Sequence, residues 1–239
     1  MPRFAELGAP FPLFEAPVDD ADAYLGSATC ALCDKKAAVC FELGIGASEM
    51  RVCPTCRMVV GSDGEETVDC HACRNEVPFP ERDEPIVACY ACLRQGRAAI
   101  TKDTELGMVS WEQAVAGVTL GIPGLRHPDF ELVPKEGSDW IGVRLPQATM
   151  FELLRTPTYA TIQGERWLFC CKAPMIFVGQ WSAEEFSRES KGGDGRALFD
   201  AIVEKPVPGL WEDELHDQTG IYVFRCAACG RRRAHWDIA

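Results

Sequence analysis

The sequence predicts an α+β protein with an N-terminal zinc-ribbon region containing four-cysteine sites, followed by a C-terminal α+β domain that ends in a zinc knuckle. Three observations support this fold class. Ten of the thirteen cysteines fall into five Cys-x-x-Cys pairs. Four of those pairs crowd residues 26–100, where long apolar runs are scarce. From residue 104 onward, short helical and strand patterns alternate with turns, which is typical of α+β domains.

The composition divides the chain into three predicted segments. Residues 1–25 form an arm that contains Pro and Asp and carries apolar Phe4, Phe11, Leu13 and Phe14, which we expect to dock on the body. Residues 26–100 form the zinc-ribbon region, with a nested ribbon over 50–76. Because this region has few long apolar runs, bound metal must supply much of its folding free energy. Residues 101–239 form the α+β domain with the C-terminal zinc knuckle.

The first four Cys-x-x-Cys pairs predict two tetrahedral Zn²⁺ sites, because each pair places two thiolates on one tight turn. The pairs are Cys30/Cys33, Cys53/Cys56, Cys70/Cys73 and Cys89/Cys92. They can combine sequentially, nested or crossed. Loop lengths mildly favour the sequential choice. The stretch from Cys53 to Cys73, with a Gly-containing hairpin between its two pairs, looks like a complete ribbon and supports nesting, with Cys30, Cys33, Cys89 and Cys92 in the outer site.

The fifth pair, Cys226/Cys229, lacks a second Cys-x-x-Cys partner. Its nearest candidate ligands are Cys170 and Cys171, with His216 and His235 behind them. Neighbouring residues of a strand point to opposite faces, so a site that uses both adjacent cysteines needs a bent backbone, and otherwise Cys170 belongs to the core. Two zinc ions are therefore expected, and a third if Cys171, Cys226, Cys229 and one more ligand meet. Cys40 is expected to be a small core residue.

Helix-start signals and apolar periodicity locate the regular elements after residue 104. Ser110 with Gln113 forms a capping box before a helix that includes Val118 and ends at Gly121–Gly124. Ser182 with Glu185 begins another helix. The remaining helices are expected after Pro146 and over 197–203. Strands are expected over 141–145, 167–171, 175–179 and 221–225, with a turn at 172–174 between the second and third.

Charge and hydropathy exclude some classes of protein. The net charge of −12 argues against general nucleic-acid binding, since phosphate affinity needs a positive surface. No stretch approaches the roughly 20 apolar residues of a membrane span. The first residues lack the pattern of a secretory signal, so we expect a cytoplasmic, metal-binding protein rather than a disulfide-bonded one. Acidic runs that a basic partner could contact are Asp19, Asp20 and Asp22, then Glu65 and Glu66, and Glu212, Asp213 and Glu214.

Several segments resemble the CbrC family of small bacterial cysteine-rich proteins. They are Pro-Phe-Pro-Leu-Phe at 10–14, Thr-Cys-Ala-Leu-Cys at 29–33, and the segments 89–99, 155–159, 167–171, 177–181 and 222–230. The resemblance implies that the Cys30/Cys33 and Cys89/Cys92 pairs are the family's own and that 53–73 is an insertion. It also implies tolerance to colicins, which suggests protection from a toxin. The sequence departs from the family pattern at Cys170-Cys171, where His-Cys is usual, and at Met175, where a cysteine is usual.

Three functional classes remain open. The expected one is a non-enzymatic zinc-binding protein that protects a bacterial cell against a toxin, as an immunity or tolerance protein, by binding a basic toxin or nuclease domain. The second is a zinc-ribbon nucleic-acid-binding protein that uses Arg231–Arg233. The third is a zinc or thiol-redox enzyme. Closed four-cysteine sites and the absence of a His-Glu-x-x-His pattern disfavour this third class.

Overall fold

A computed structural model describes residues 1–44, 46–80, 85–207, 209–211 and 219–238. Within them the chain is a mixed α+β structure of short strands and short helices, as predicted. The strands are β1 Tyr24–Thr29, β2 Lys36–Leu43, β3 Ala47–Val52, β4 Val59–Ser62, β5 Thr67–Asp69, β6 Glu76–Pro78, β7 Ile86–Cys89, β8 Ala98–Ile100, β9 Ile122–Pro123, β10 Leu132–Pro134, β11 Trp140–Val143, β12 Phe169–Cys170, β13 Ala173–Pro174, β14 Ile176–Gln180, β15 Thr219–Arg225 and β16 Arg232–Ile238. The helices are α1 Tyr90–Arg94, α2 Trp111–Ala116, α3 Gln147–Leu154, α4 Ala183–Glu189 and α5 Gly195–Ile202. None of the helices in this part of the chain has the length and apolar character needed to cross a bilayer.

The chain forms two compact units. The cysteine-rich unit comprises Ala23–Lys102 and Leu106–Thr158. The C-terminal unit comprises Met1–Asp22, Asp103–Glu105 and Tyr159–Ala239. The N-terminal segment therefore belongs to the same compact unit as the C-terminal strands.

The cysteine-rich unit is built from small antiparallel sheets. β2 lies between β1 and β7, and β3 lies between β4 and β8. β5 and β6 form a separate hairpin, and β11 lies between β10 and β9. The β4–β6 part of the unit has a very small core of its own, formed by Cys53, Val60, Cys70, Val77 and Phe79. Two of these core residues are cysteines, so apolar burial alone gives this part little stability.

The C-terminal unit has a larger aromatic core around the sheet β14-β15-β16. Tyr159 stacks on Phe177 at 4.5 Å between ring centroids, and Trp167 contacts Phe224 edge-on at 5.6 Å. The N-terminal segment covers the free edge of β14, where the Phe177 N–H donates to the carbonyl of Leu13 at 2.9 Å. This coverage removes an exposed strand edge, which would otherwise be open to pairing with another chain.

Helix α2 is shorter than the sequence pattern indicates. The capping box of Ser110 and Gln113 is present, which confirms the predicted start. The helix ends at Gly117, however, whose φ of 70° is the left-handed conformation common after a helix end. The prediction that Val118 continues the helix to Gly121–Gly124 is wrong, because Val118 forms a β-bridge with Arg144 instead.

The hairpin that carries the adjacent cysteines turns one position earlier than predicted. The turn residues are Cys171 and Lys172, with φ of 53° and 62°, between β12 and β13. Two-residue hairpin loops commonly require positive φ at both central positions. Glycine usually marks such turns, and its absence here explains why the sequence suggested a turn at 172–174 instead.

Candidate metal centres

The structure brings all twelve predicted ligand cysteines into three groups of four. Within each group the sulfur atoms lie within 4.8 Å of one another. The outer centre is Cys30, Cys33, Cys89 and Cys92; the inner centre is Cys53, Cys56, Cys70 and Cys73; the C-terminal centre is Cys170, Cys171, Cys226 and Cys229. Each group could hold a metal ion, and the first four pairs combine in the nested way.

The outer centre joins a hairpin turn to the start of a helix. Cys30 and Cys33 lie on the turn between β1 and β2, whereas Cys89 ends β7 and Cys92 lies in α1. The Cys30 and Cys92 sulfur atoms are 3.7 Å apart, and those of Cys33 and Cys89 are 3.9 Å apart. The Cys89 N–H donates to the Cys30 sulfur at 3.3 Å, so the backbone holds that sulfur in place.

The inner centre joins two hairpin turns. Cys53 and Cys56 lie between β3 and β4, and Cys70 and Cys73 lie between β5 and β6. The sulfur atoms of Cys53 and Cys73 are 3.7 Å apart, and those of Cys56 and Cys70 are 3.4 Å apart. Cys53 and Cys70 also belong to the small core of this part, so the inner centre supplies two of the five buried residues of that core.

Four of the five Cys-x-x-Cys pairs share one turn geometry. In each, the first cysteine's carbonyl accepts from the N–H four residues later, and its own N–H donates to the carbonyl five residues later. The fourth residue after the first cysteine has positive φ in every case: Asp34 at 56°, Arg57 at 68°, Arg74 at 61° and Gly230 at 72°. This left-handed residue reverses the chain, so both cysteines of a pair can face one point. Gly230 carries the strongest sequence signal for that conformation, Asp34 a weaker one, and the two arginines none.

The C-terminal centre uses both adjacent cysteines, because the backbone bends between them. The positive φ of Cys171 places it on the hairpin turn after Cys170. The Cys170 sulfur is 3.8 Å from that of Cys171 and 3.7 Å from that of Cys229. Cys170 is therefore placed with the other three cysteines of this group and supplies the fourth sulfur atom.

Backbone N–H groups favour a thiolate at the first cysteine of several turns. For Cys53 the largest effect is the hydrogen bond from the Cys56 N–H, and the pKa falls to about 6. Burial raises the pKa of Cys226, but hydrogen bonds from the N–H groups of Cys229 and Ala228 together outweigh it and lower the pKa to about 7. Hydrogen bonds to the charged form of a group stabilise that form. A thiolate is the form of cysteine that binds metal.

Burial and neighbouring thiols oppose ionisation at other cysteines of the centres as long as no cation is present. Burial raises the pKa of Cys170 to about 12, and its hydrogen bonds to the sulfur atoms of Cys226 and Cys229 act in the same direction. Four thiolates within 4.8 Å would repel one another strongly. A divalent cation removes that repulsion, so metal binding must release protons and must strengthen as the pH rises.

Among the described residues, Cys40 and His235 lie outside the three centres. Cys40 is fully buried, and its thiol lies 3.5 Å from the carbonyl of Ala28, which confirms it as a core residue. His235 is buried and its Nε2 lies 2.8 Å from the Tyr159 hydroxyl, so it is not a ligand of the C-terminal centre. His216, the other histidine considered for that centre, lies outside the described residues. Nothing in the spacing indicated the pairing of Tyr159 with His235.

A family model matches residues 58–238, and its description is uncharacterised protein family UPF0167. A UPF0167 protein from Pseudomonas aeruginosa is 33% identical over 90 residues, which is 35% of this chain and 47% of that relative. The chain therefore spans about half the length of the curated relative it matches. No solved structure matches the chain.

These comparisons correct the assignment to the CbrC family. The matching model and the matching relative both carry the UPF0167 name, and no CbrC match is found. Short cysteine-containing segments are a weak basis for a family, because Cys-x-x-Cys turns recur in unrelated metal-binding proteins. The matched range also begins at residue 58 and so includes Cys70 and Cys73, which removes the basis for treating 53–73 as an insertion.

Proposed function

We propose a function from the chain's own residues, because the chain belongs to UPF0167, a family that is uncharacterised. The proposal is that the chain is a non-enzymatic zinc-binding protein of the cytoplasm, with three structural Zn²⁺ ions, and that it acts by binding another protein. The observation that supports this proposal is the meeting of twelve cysteines in three compact groups of four.

The sulfur–sulfur distances agree with zinc. A Zn–S bond of about 2.3 Å in a tetrahedral site separates the sulfur atoms by about 3.8 Å. The closest pairs in the three centres are between 3.4 and 3.9 Å apart. Four thiolates with tetrahedral geometry select zinc or iron, and reduced thiolates persist in a cytosol-like compartment.

Closed coordination argues for a structural role. Catalytic zinc keeps one position for water or substrate, whereas four cysteines fill a tetrahedral shell. The C-terminal centre was the one place where three protein ligands could have left a position open, and Cys170 supplies the fourth sulfur there. The proposal is therefore that zinc positions the hairpin turns and that surface residues carry the function.

Binding to a protein agrees better with the surface than binding to nucleic acid. Arg232 pairs with Glu189 at 2.7 Å, and Arg233 pairs with Glu105 at 2.7 Å. Two of the three arginines on which a nucleic-acid site would depend are thus engaged in ion pairs within the C-terminal unit. With a net charge of −12, the chain favours a basic partner.

Toxin protection is one form of this proposal, and a basic toxin or nuclease domain is the corresponding partner. Because the family is UPF0167 and the CbrC resemblance is set aside, the support for toxin protection is the acidic charge of the chain. Among the acidic runs, Glu65 and Glu66 are exposed, whereas Asp20 accepts from the Gln180 N–H and lies half-buried. The run Glu212–Glu214 lies outside the described residues.

Counting the bound metal tests the zinc part of the proposal. Native and denaturing mass spectrometry of the purified chain should differ by three zinc ions. The Cys226→Ser variant should bind two, and the matched control Cys40→Ala, which removes a cysteine outside the centres, should bind three. A chain without zinc and with cysteines oxidised in pairs would refute the proposal, and a red, iron-containing chain would correct the metal.

Co-purification tests the partner. A toxin or effector encoded beside this gene should form a complex with the full chain that weakens as salt rises, because complementary charge is screened. The variant Glu65→Lys with Glu66→Lys should bind less tightly if the exposed run contacts the partner. Retention of the chain on a DNA or RNA column at low salt, without a protein complex, would favour the nucleic-acid alternative.

A further inference from the structure

The C-terminal centre differs from the other two in its access to solvent. Both Cys171 and Cys229 are exposed. In the outer centre Cys30, Cys89 and Cys92 are buried and Cys33 is partly buried, and in the inner centre no cysteine is exposed. A small reagent in solution therefore meets two exposed cysteines at the C-terminal centre. At the outer and inner centres the same reagent meets only buried or partly buried cysteines.

The fold near the C-terminal centre is also supported without metal. Trp167, two residues before β12, is fully buried and its indole N–H donates to the Met175 carbonyl at 2.8 Å. The Arg233 side chain donates to the carbonyl of Phe169, which anchors β12 itself. β15 and β16, which flank the Cys226 turn, pair along seven residue positions. These contacts hold both hairpins in place when the sulfur atoms are no longer joined by a metal.

Among the described residues, the inner centre has less support of this kind, with β3 and β4 paired along four positions beside it. Its ligands Cys53 and Cys70 are members of the local core, beside only three other buried residues. Losing the metal there removes the centre of the core, so the surrounding hairpins should lose their structure. The three centres thus differ in what metal loss does to the fold.

We propose that the C-terminal centre is a site of oxidative modification, at which a hydroperoxide converts two of its cysteines to a disulfide and the zinc ion leaves. This inference rests on the proposed zinc content. The exposed thiolate of Cys229 attacks the peroxide oxygen, the O–O bond breaks, and with one proton a sulfenic acid and water form when the oxidant is hydrogen peroxide. The sulfur of Cys170, 3.7 Å away, displaces hydroxide from the sulfenic acid, and a second proton converts that hydroxide to water.

The balance of this reaction explains the release of metal. Two thiolates are oxidised by two electrons to one disulfide, and the peroxide is reduced to two water molecules. Cys171 and Cys226 remain as thiols or thiolates. Two ligands do not hold Zn²⁺ as four do, so one zinc ion leaves for each disulfide formed. A dithiol reductant with added zinc should restore the centre, because disulfide formation is reversible.

A peroxide titration of the zinc-loaded full chain tests the inference. A chromophoric chelator should report one zinc ion released per chain. Peptide mapping after alkylation should find the new disulfide between the 170–171 peptide and the peptide that contains Cys229. Far-UV circular dichroism should be unchanged at that stage, and two zinc ions should stay bound. The Cys170→Ser and Cys226→Ser double variant, which starts with two zinc ions, should release none at the same peroxide concentration.

Two results would overturn the inference. One is a first disulfide among the cysteines of the outer or inner centre, and the other is release of all zinc ions together with loss of secondary structure. A wild-type chain that contains two zinc ions or fewer before any oxidation would instead overturn the proposed zinc content. The two failures are distinguishable because the metal is counted before the oxidant is added.

Discussion

His235 should make the stability of the C-terminal unit depend on pH in a calculable way. Burial is the largest cause and lowers the pKa of His235 from 6.5 to about 3, and the charges of Arg166 and Arg233 act in the same direction. The folded chain therefore keeps this imidazole neutral in mildly acidic solution, whereas the unfolded chain takes up a proton near pH 6.5. The stabilising contribution is complete above pH 6.5 and is lost as the pH falls from 6.5 towards 3.

The magnitude follows from the linkage between protonation and folding. One pH unit between the two pKa values is equivalent to about 1.4 kcal/mol. Lowering the pH from 7.5 to 5.0 should therefore cost about 2 kcal/mol of unfolding free energy through His235 alone. The His235→Gln variant, whose amide can still bond to the Tyr159 hydroxyl but does not titrate, should lose this part of the pH dependence.

The assay is denaturant unfolding of both chains at pH 7.5 and 5.0, followed by tryptophan fluorescence with bound zinc measured in each sample. Comparing the variant with wild type isolates His235 from other titrating groups. The control His127→Gln replaces a histidine that is not buried and shows whether loss of any histidine changes the pH dependence. Equal pH slopes for wild type and His235→Gln at equal zinc content would refute the reasoning.

Three further perturbations have expected outcomes. Burial is the largest cause that raises the pKa of Asp20 to about 6. Asp20→Asn should therefore raise the unfolding free energy by about 1–2 kcal/mol at pH 7.5, and this gain should vanish near pH 4. An equal gain at both pH values would contradict this. Gly107 has φ of 94° and any Cβ there would clash with the backbone nitrogen of Gly121, so Gly107→Ala should lower the unfolding free energy by about 3 kcal/mol or more, measured by thermal denaturation. Arg233→Met removes the ion pair with Glu105, whose side chain is 9% exposed, and should lower the unfolding free energy by about 3 kcal/mol. The control Arg196→Met breaks an exposed pair and should lower it by less than about 1 kcal/mol. Equal losses would show that burial does not govern the strength of these ion pairs.

Local signals in the sequence predicted part of the fold well. The capping boxes at Ser110 and Ser182 mark the starts of α2 and α4, because the side chains that satisfy free N–H groups are short-range features. Most of β1–β8 was not predicted. These strands are short, and turns and cysteines rather than alternating apolar residues surround them, so they lack a periodic pattern.

Long-range pairings were less accessible to sequence reasoning. Loop lengths mildly favoured the sequential combination of the four Cys-x-x-Cys pairs, whereas the structure has the nested one, so spacing did not decide which pairs meet. The strand β16 begins at Arg232 and Arg233, which look like solvent-facing residues until their glutamate partners are known. The positive φ of Cys171 likewise has no local signal, because the turn residue is not glycine.

The nested arrangement of the first two centres has a consequence for the chain during its synthesis. A ribosome delivers residues in order, so the inner centre has all of its ligands as soon as Cys73 has emerged. Cys30 and Cys33 must wait until Cys92 appears. In that interval Cys30 and Cys33 compete with the inner-centre cysteines for metal, and they can also pair wrongly with those cysteines. Early closure of the inner centre removes its four cysteines as competing partners. On the proposed zinc content, zinc supply during translation therefore decides whether Cys30 and Cys33 meet Cys89 and Cys92.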